Sequence, residues 1–241
     1  MSLFMKHGSD VAGNAERASQ RSVEIDVGPV RLMGDLVVPA GANGIIAFAH
    51  GSGSSRHSPR NVAVAERLQQ AGMVTLLFDL LTEDEADDRS LVFDIPFLAD
   101  RLVGALGWIS GEAGIGSLPV GLFGASTGAA AALVAASRVS GVGAVVSRGG
   151  RPDLAGDALG KVTAPTLLIV GGRDADVLEL NRQAQRRLGG ESRLEVIQGA
   201  THLFEERGTL ERVAELAAGW FHSHLAAPGT GGGAVLEGGP R

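Results

Sequence analysis

Short apolar runs alternate with helix-like segments through most of this 241-residue chain, and this alternation constrains the fold more than any other feature. Apolar runs typical of strands at 45–49, 74–79, 120–123, 144–147, 166–170 and 193–197 alternate with segments of helical character at 61–71, 95–109, 127–138, 177–188 and 210–224. Two further runs, 22–27 and 31–38, are separated by Gly28 and Pro29 and predict an antiparallel hairpin. The pattern predicts an α/β fold with a mostly parallel central sheet and helices on both faces.

The composition fits one globular domain between two tails. With 44% hydrophobic residues, a chain of this length can bury a sizeable core. Residues 1–21 are polar and lack periodicity, whereas residues 228–241 are rich in glycine and have no apolar face. We therefore expect a flexible amino-terminal tail at 1–21, an α/β domain at 22–227 and a glycine-rich tail at 228–241.

One serine lies at the apex of a predicted strand–turn–helix unit. The pentapeptide 124–128, Gly-Ala-Ser-Thr-Gly, directly follows the apolar run 120–123 and precedes the alanine-rich stretch 129–136. In this context Gly-x-Ser-x-Gly is typical of a nucleophile elbow, in which a sharp turn exposes the serine at the end of a strand. Such a serine is forced towards positive φ, and glycines on either side avoid collisions with the neighbouring strand and helix. Ser126 is therefore the predicted nucleophile.

A serine nucleophile needs a base and an acid that orients the base, and in this architecture they follow in the order acid, then histidine. Asp174 and His202 each follow an apolar run of the predicted sheet, in that order. Both residues are expected at the same sheet edge as Ser126, because the carboxyl ends of parallel strands share one edge. Asp176 is the alternative acid, although its position also fits the N-cap of the following helix. The predicted catalytic residues are Ser126, Asp174 and His202.

Backbone amides are the usual donors to the oxyanion that forms in acyl transfer. The Thr127 amide comes directly after the predicted nucleophile, at the start of a helix. The Ser52 amide lies in the glycine-rich sequence His50-Gly51-Ser52-Gly53, which follows the run 45–49 and lacks the Gly-Lys-Ser/Thr of a phosphate-binding P-loop. We expect the Thr127 and Ser52 amides to form an oxyanion hole, and we expect His50 to shape this loop through a local hydrogen bond.

These motifs resemble those of the dienelactone hydrolase branch of the α/β-hydrolases, especially its short, capless, esterase-like members. The resemblance extends from about residue 23 to residue 225 and rests on segments 50–53, 54–61, 124–128, 171–174 and 200–202. It implies the α/β-hydrolase fold and a Ser–His–Asp triad. Dienelactone hydrolases proper use a cysteine nucleophile, and this chain contains no cysteine. The resemblance with a serine at this position therefore implies ordinary carboxylic ester hydrolysis rather than action on dienelactones.

Loops at the predicted catalytic edge supply candidate substrate contacts. Arg56 and His57 lie in the loop that carries Ser52. Many α/β-hydrolases insert a helical lid before the strand that leads to the acid, but here that interval, 148–165, has only 18 residues. We therefore expect no substantial cap and an open site that accepts small, soluble esters.

Two charged segments at this edge allow more than one interpretation. Arg148 and Arg151 follow a predicted strand, and they either bind a substrate carboxylate or pair with Asp153 or Asp157. The acidic loop 80–94 is either a solvated surface loop or a gate that repels anionic substrates. Its acids lack the spacing of a calcium-binding loop, so no metal site is expected.

Charge and composition exclude several other functions. The net charge of −6 and the pI near 5.5 provide no basic field for nucleic acid or an anionic membrane. The absence of cysteine excludes disulfides and thiolate zinc sites and fits a reducing compartment. No apolar run approaches the roughly 18 residues of a membrane span, and the first residues show no signal-like apolar segment. We expect a cytoplasmic protein without a cofactor, whose partner is a small-molecule ester and neither nucleic acid nor membrane.

The predicted function is the hydrolysis of short-chain or small soluble carboxylic esters through an acyl-enzyme on Ser126. A thioesterase, an acyltransferase or a cofactor-free perhydrolase would use the same three residues. A non-catalytic binding protein on the same scaffold is the alternative from a different class.

Overall fold

The computed structural model describes residues 18–225 as one eight-stranded sheet with helices on both faces. The strands are β1 (Ser19–Val27), β2 (Val30–Val38), β3 (Ile45–Ala49), β4 (Val74–Phe78), β5 (Val120–Ala125), β6 (Val142–Arg148), β7 (Thr166–Gly171) and β8 (Ser192–Ile197). The helices are α1 (Pro59–Gln70), α2 (Glu83–Ala86), α3 (Arg89–Val92), α4 (Ile95–Gly111), α5 (Thr127–Arg138), α6 (Ala175–Gln185) and α7 (Thr209–Leu225). A 3₁₀ segment, Pro152–Lys161, lies between β6 and β7.

The strand order is β1-β2-β4-β3-β5-β6-β7-β8. β1 and β2 form the predicted antiparallel hairpin, and β2 is also antiparallel to β4. All pairs from β4 to β8 are parallel, which confirms the expected mostly parallel sheet. The carboxyl ends of β3 to β8 therefore open onto one edge, where the predicted site residues lie.

The domain begins slightly earlier than expected. Ser19–Arg21 pairs with the end of β2, so these three residues belong to the sheet and not to the amino-terminal tail. Arg21 also forms an ion pair with Glu112, 2.6 Å away. Residues 1–17 of the predicted amino-terminal tail, residues 226–227 of the predicted domain and the whole predicted tail 228–241 lie outside the described residues.

The sheet is buried on both faces in its centre. Every residue of β3, β4 and β7 is buried, because α1 and α7 cover one face of the sheet while α4 and α5 cover the other. At the sheet edge, buried and exposed residues alternate over 22–26 in β1. The first ten residues of α5 are all buried, because small alanine side chains let this helix approach the sheet closely.

Short helices in two connections were not predicted from the sequence. α2 and α3 occupy the acidic loop, and the 3₁₀ segment occupies the interval between β6 and β7. α2 and α3 have four residues each, and a kink at Gly156 divides the 3₁₀ segment, so each helical piece is too short for apolar periodicity to mark it. The 3₁₀ segment packs against α5 and α6, and it is the only helical element between β6 and β7, so the expected absence of a substantial cap is confirmed within residues 18–225. Within residues 18–225, none of the helices has the length and apolar character that a membrane crossing requires.

Candidate active site

Ser126 lies in the sharp turn between β5 and α5. Its φ of 52° is in the left-handed region, which a non-glycine residue adopts only when the surrounding structure imposes it. A Cβ on Gly124 would overlap the backbone of α5, and one on Gly128 would overlap the backbone at the end of β3. Both flanking positions therefore exclude any side chain, as the sequence predicted, and the turn holds Ser126 at the carboxyl end of the sheet.

Asp174 and His202 form a hydrogen-bonded pair at the same edge. Asp174 Oδ2 is 2.6 Å from His202 Nδ1, and the Asp174 side chain is mostly buried while the imidazole is 38% exposed. The end of β7 comes so close to the loop after β8 that a Cβ on Gly171 would overlap the carbonyl groups of that loop. An amide–carbonyl bond of 2.9 Å, from Arg173 to Ala200, joins the same two segments. This backbone contact brings the two side chains together.

Asp174 occupies the N-cap position of α6, yet its carboxylate forms no capping hydrogen bond. The sequence-based assignment of the N-cap to Asp176 is therefore wrong, because α6 begins one residue after Asp174. Asp176 is exposed in the first turn of the helix, whereas the Asp174 carboxylate is directed to the imidazole.

The turn after β6 connects Ser126 with the imidazole. The Ser126 amide donates to the Arg148 carbonyl at 3.2 Å, and the Arg151 amide donates to the Ser126 carbonyl at 3.0 Å. Gly149 lies between Arg148 and Arg151 in this turn, and a Cβ built on it would be 3.6 Å from Cε1 of His202. The nucleophile turn and the imidazole thus contact the same four-residue turn. No hydrogen bond joins the Ser126 hydroxyl to the His202 ring in the part of the chain that the structure describes.

The loop after β3 lies directly against the nucleophile turn. A Cβ on Gly51 would lie 3.0 Å from the Ser126 Cβ, which is tighter than most real contacts, so the glycine favours this close approach of the loop. The Ser52 amide, a predicted oxyanion donor, donates to Thr127 Oγ1 at 2.8 Å. Thr127, the other predicted donor, is the first residue of α5 and is almost fully buried. The two predicted residues are therefore hydrogen bonded to each other beside Ser126.

His50 joins the loops after β3 and β4, which confirms the local hydrogen bond expected from the sequence. Its Nδ1 lies 3.0 Å from the Gly51 carbonyl, and its Nε2 lies 3.0 Å from the Leu80 amide. Since Nε2 must accept from the amide, the proton of the neutral ring is on Nδ1 and is donated to the carbonyl. Burial lowers the pKa of the His50 imidazole below its ordinary value, which favours this neutral form.

A cavity of about 750 Å³ opens between the loop after β3 and the segment after β4. Gly51 and Ser52 line it, and Gly51 also lies against Ser126, whereas Ser126, Asp174 and His202 are not among its lining residues. Arg56 and His57, two predicted substrate contacts, also line it. The side chain of His57 is exposed.

Arg56 is held by two acids of the cavity wall. Its guanidinium forms an ion pair with Asp79 and lies 3.4 Å from Asp35, and its amide donates to Asp79 Oδ1 at 2.7 Å. Its charge is therefore neutralised within the protein. These contacts hold the loop after β3 against β2 and against the residue that follows β4.

Arg148 and Arg151 differ in their partners. Arg151 forms a two-fold hydrogen bond with Asp153, at 2.9 and 2.8 Å, and Asp157 lies 3.1 Å from Arg187. The pairing that the sequence left open therefore holds for Arg151 but not for Arg148. Arg148 is directed to the other side of the sheet, where its Nη2 donates to Asn61 Oδ1 at 3.2 Å.

Three carboxylates of the acidic loop accept hydrogen bonds at the starts of helices. Thr82 and Glu85 form a capping box at the start of α2. Asp88 and Asp94 accept amide hydrogens at the starts of α3 and α4. Glu85 also forms an ion pair with Arg101. These contacts favour the structural interpretation of the loop.

Sequence reasoning missed two residues that support the site. Phe204 is buried, has a φ of 55° and contacts the Gly149 turn. Glu206 accepts the Thr201 amide at 3.1 Å, and this hydrogen bond lowers the pKa of the Glu206 carboxyl. Both residues order the loop that carries His202. No periodicity or motif marks them, because their roles come from contacts within an irregular loop.

Comparison with known proteins agrees with this fold. The family model described as "Alpha/beta hydrolase domain" matches residues 42–218, which is most of the chain. The protein therefore belongs to the α/β-hydrolase family. It is 55% identical to the dienelactone hydrolase of Anabaena variabilis, whose crystal structure superposes with a TM-score of 0.85 over 87% of this chain and 99% of that one. Within the family, the chain is thus dienelactone hydrolase-like.

More distant structures show the fold alone. Est1E from Butyrivibrio proteoclasticus is 17% identical, with a TM-score of 0.73 over 86% of this chain and 99% of that one.

Two curated relatives, each named "Putative phosphoribosyl transferase", come from strains CDC 1551 and H37Rv of Mycobacterium tuberculosis. Each is 62% identical over 95% of this chain, and the match covers 52% of each relative. The chain thus spans about half the length of these relatives.

Proposed function

We propose that this protein hydrolyses carboxylic esters through an acyl-enzyme on Ser126. The observation that carries the proposal is the Asp174–His202 pair, at 2.6 Å, on the same sheet edge as a serine in a strained elbow. The family supports a hydrolase, and a serine with a histidine–acid pair is the arrangement that activates a hydroxyl for acyl transfer.

In this mechanism His202 Nε2 takes the Ser126 proton while Oγ attacks the ester carbonyl. Asp174 accepts the Nδ1 hydrogen, which leaves Nε2 free to act as the base and stabilises the imidazolium. His202 then protonates the departing alcohol, and water resolves the acyl-enzyme by the same route. The hydroxyl and the ring need to approach each other for the first step, and such catalytic hydrogen bonds commonly tighten only with substrate bound.

The Thr127 and Ser52 amides are the proposed donors to the oxyanion. Because the Ser52 amide donates to Thr127 Oγ1, its use in catalysis requires this bond to be shared with or exchanged for the substrate oxygen. The same bond fixes the loop after β3 against α5. The Thr127 hydroxyl therefore positions the second donor close to where charge develops.

The proposed substrates are small, soluble esters. A cavity of about 750 Å³ is lined by the loop that lies against Ser126, and the short interval between β6 and β7 forms no substantial cap within residues 18–225. A site of this volume holds a small molecule with a modest acyl group. The transferase name of the curated relatives supports no proposal for this chain, because the chain spans about half of their length and the family model that it matches is an α/β-hydrolase domain.

The test is hydrolysis of p-nitrophenyl acetate and butyrate by the wild type and by Ser126→Ala. We expect the variant to lose several orders of magnitude in kcat and to lose labelling by a fluorophosphonate probe. Retention of most of the wild-type turnover by Ser126→Ala would rule out the assignment. A protein that labels at Ser126 but turns over coenzyme A thioesters faster than esters would instead be a thioesterase on the same residues.

A further inference from the structure

The cavity of about 750 Å³ has one apolar wall. Aliphatic side chains from the segment after β4 and from α4 form this wall: Leu80, Leu81, Ala86, Val92 and Leu98. Ala86 is exposed and Val92 is half-buried, so both are accessible from the cavity. Aliphatic side chains that line an open cavity are stabilised when an apolar group covers them. The wall therefore favours a ligand that carries a hydrocarbon group.

The apolar wall is fixed to the body of the domain. Ala86 is the last residue of α2, and the preceding residue, Glu85, forms an ion pair with Arg101 of α4. Arg101 is 7% exposed, and its guanidinium carbon lies 4.6 Å from the centre of the Phe97 ring. A nearly buried ion pair is costly to separate, so this contact holds α2 in place. The size of the side chain at position 86 should therefore limit what the cavity accepts.

The cavity and the imidazole lie on opposite sides of Ser126 along the sheet edge. In the strand order β4-β3-β5-β6-β7-β8, the cavity lies after β4 and β3, Ser126 follows β5, and Asp174 and His202 follow β7 and β8. Gly51 lines the cavity, and a Cβ built on it would be 3.7 Å from Ser126 Oγ. A group bound at Ser126 can therefore extend past Gly51 into the cavity, away from the imidazole.

The chemistry of ester cleavage decides which half of the substrate lies on each side. The alcohol oxygen must lie next to His202, because the imidazole protonates the alcohol as it departs. The carbonyl oxygen must lie at the Thr127 and Ser52 amides, which are the proposed oxyanion donors. The remaining substituent of the ester carbon is the acyl chain. It therefore points away from His202 and towards Gly51, which is the side of the cavity.

We propose that this cavity binds the acyl chain of the substrate and that Ala86 and Val92 limit the length of that chain. This inference rests on the proposed ester hydrolysis, and it names the class of substrate: esters of medium-length aliphatic acids, such as hexanoate. The alcohol is less constrained, because the His202 side chain on that side of Ser126 is 38% exposed.

The test varies the two halves of the ester separately. One series keeps p-nitrophenol as the alcohol and extends the acyl chain from acetate through butyrate and hexanoate to octanoate. The other keeps the acetyl group and extends the alcohol from methyl to hexyl. We expect kcat/KM to rise about two- to fourfold for each CH₂ that the cavity buries, or about 15- to 250-fold from acetate to hexanoate. The alcohol series should change by less than about threefold from methyl to hexyl, because an exposed chain gains little from burial.

Two variants change the size of the cavity in opposite directions. Ala86→Phe fills it and should lower the hexanoate-to-acetate ratio of kcat/KM by at least about tenfold, with acetate within about threefold of the wild type. Val92→Ala enlarges it and should raise the octanoate-to-hexanoate ratio about two- to fourfold. The matched control is Ala63→Phe, on the exposed face of α1 beside a different cavity, and it should keep both wild-type ratios. Val92→Ala only removes atoms, so it remains informative if Ala86→Phe does not fold.

A direct binding measurement separates this inference from the proposed function. Calorimetric titration of Ser126→Ala with hexanamide, a neutral probe with the same acyl chain, should show binding that weakens at least about fivefold when Ala86→Phe is added. Ratios that both cavity variants leave unchanged, or a preference for long alcohols that Ala86→Phe removes, overturn the inference while ester hydrolysis stands. Binding of hexanamide that depends on position 86, without Ser126-dependent hydrolysis, supports the acyl site and rejects the proposed function.

Discussion

Replacing Asp174 by asparagine tests the most specific contact of the proposed site. The change keeps the size of the side chain but removes its charge, and an asparagine can present its NH₂ to Nδ1 and so favour the tautomer that carries the proton on Nε2. In that tautomer Nε2 cannot accept the Ser126 proton. The 2.6 Å contact between Asp174 and His202 therefore determines the tautomer of the imidazole and stabilises the imidazolium that forms during the reaction.

The structure allows the size of the loss to be worked out. Two unit charges about 4 Å apart attract each other by about 4 kcal/mol at an effective dielectric constant of roughly 20. The His202 side chain is 38% exposed, so solvent screening reduces this to about 2–4 kcal/mol. Since about 1.4 kcal/mol corresponds to a factor of ten in rate, we expect Asp174→Asn to lower kcat by about 30- to 1,000-fold.

The assay is steady-state hydrolysis of p-nitrophenyl butyrate, with thermal melting to verify that each variant is folded. Asp176→Asn is the matched control, because this exposed residue is two positions away and would be the acid in the alternative assignment. We expect the control to stay within about threefold of the wild type. Equal losses in the two variants, or a loss below threefold for Asp174→Asn, would refute the reasoning.

Three further changes test the surroundings of the nucleophile. Gly51→Ala places a methyl group 3.0 Å from the Ser126 Cβ and should lower both the melting temperature and kcat, whereas Gly107→Ala, in open space on α4, should leave kcat at the wild-type value. Thr127→Val should lower kcat about tenfold because it releases the Ser52 amide, and Thr127→Ser should restore the rate; equal rates for the two would contradict this role. His50 has a lowered pKa in the folded protein, so below its ordinary value of 6.5 the unfolded chain binds a proton that the folded chain does not. Its contribution to stability is present above pH 6.5 and is lost as the pH falls through the folded-state pKa, so melting curves from pH 4 to 8 should depend less on pH for His50→Gln.

Much of the fold could be predicted, because its signals are local in the sequence. Continuous apolar runs marked β3, β4 and β7, since a strand buried on both faces needs apolar residues throughout. The turn at Ser126 was also predictable from the sequence, because close backbone contacts require glycine at positions 124 and 128 and so produce a recognisable motif. The sequence missed α2, α3 and the 3₁₀ segment, because four-residue helices and a 3₁₀ segment divided by a kink show no apolar period to detect.

Residue types and the order of the strands were enough to predict which residues form the candidate site and on which edge of the sheet they lie. The order Ser126, Asp174, His202 placed all three residues at one sheet edge, and the structure brings the last two into contact. The choice between Asp174 and Asp176 depended on where α6 begins, and sequence-based boundaries are uncertain by a residue or two. The sequence also could not show that Arg56 is neutralised by Asp79 while Arg148 has no acid beside it.

The sequence by itself thus determined the succession of strands and helices, the strained turn at Ser126 and the edge on which the polar residues gather, because each follows from a few neighbouring residues. Only the tertiary structure decided which of those residues touch. The contact of Ser52 with Thr127 spans 75 positions, and that of Arg148 with Asn61 spans 87. Such contacts depend on the strand order, on the pleat that directs each side chain to one face of the sheet and on the close approach of backbones at glycine, none of which a local pattern specifies.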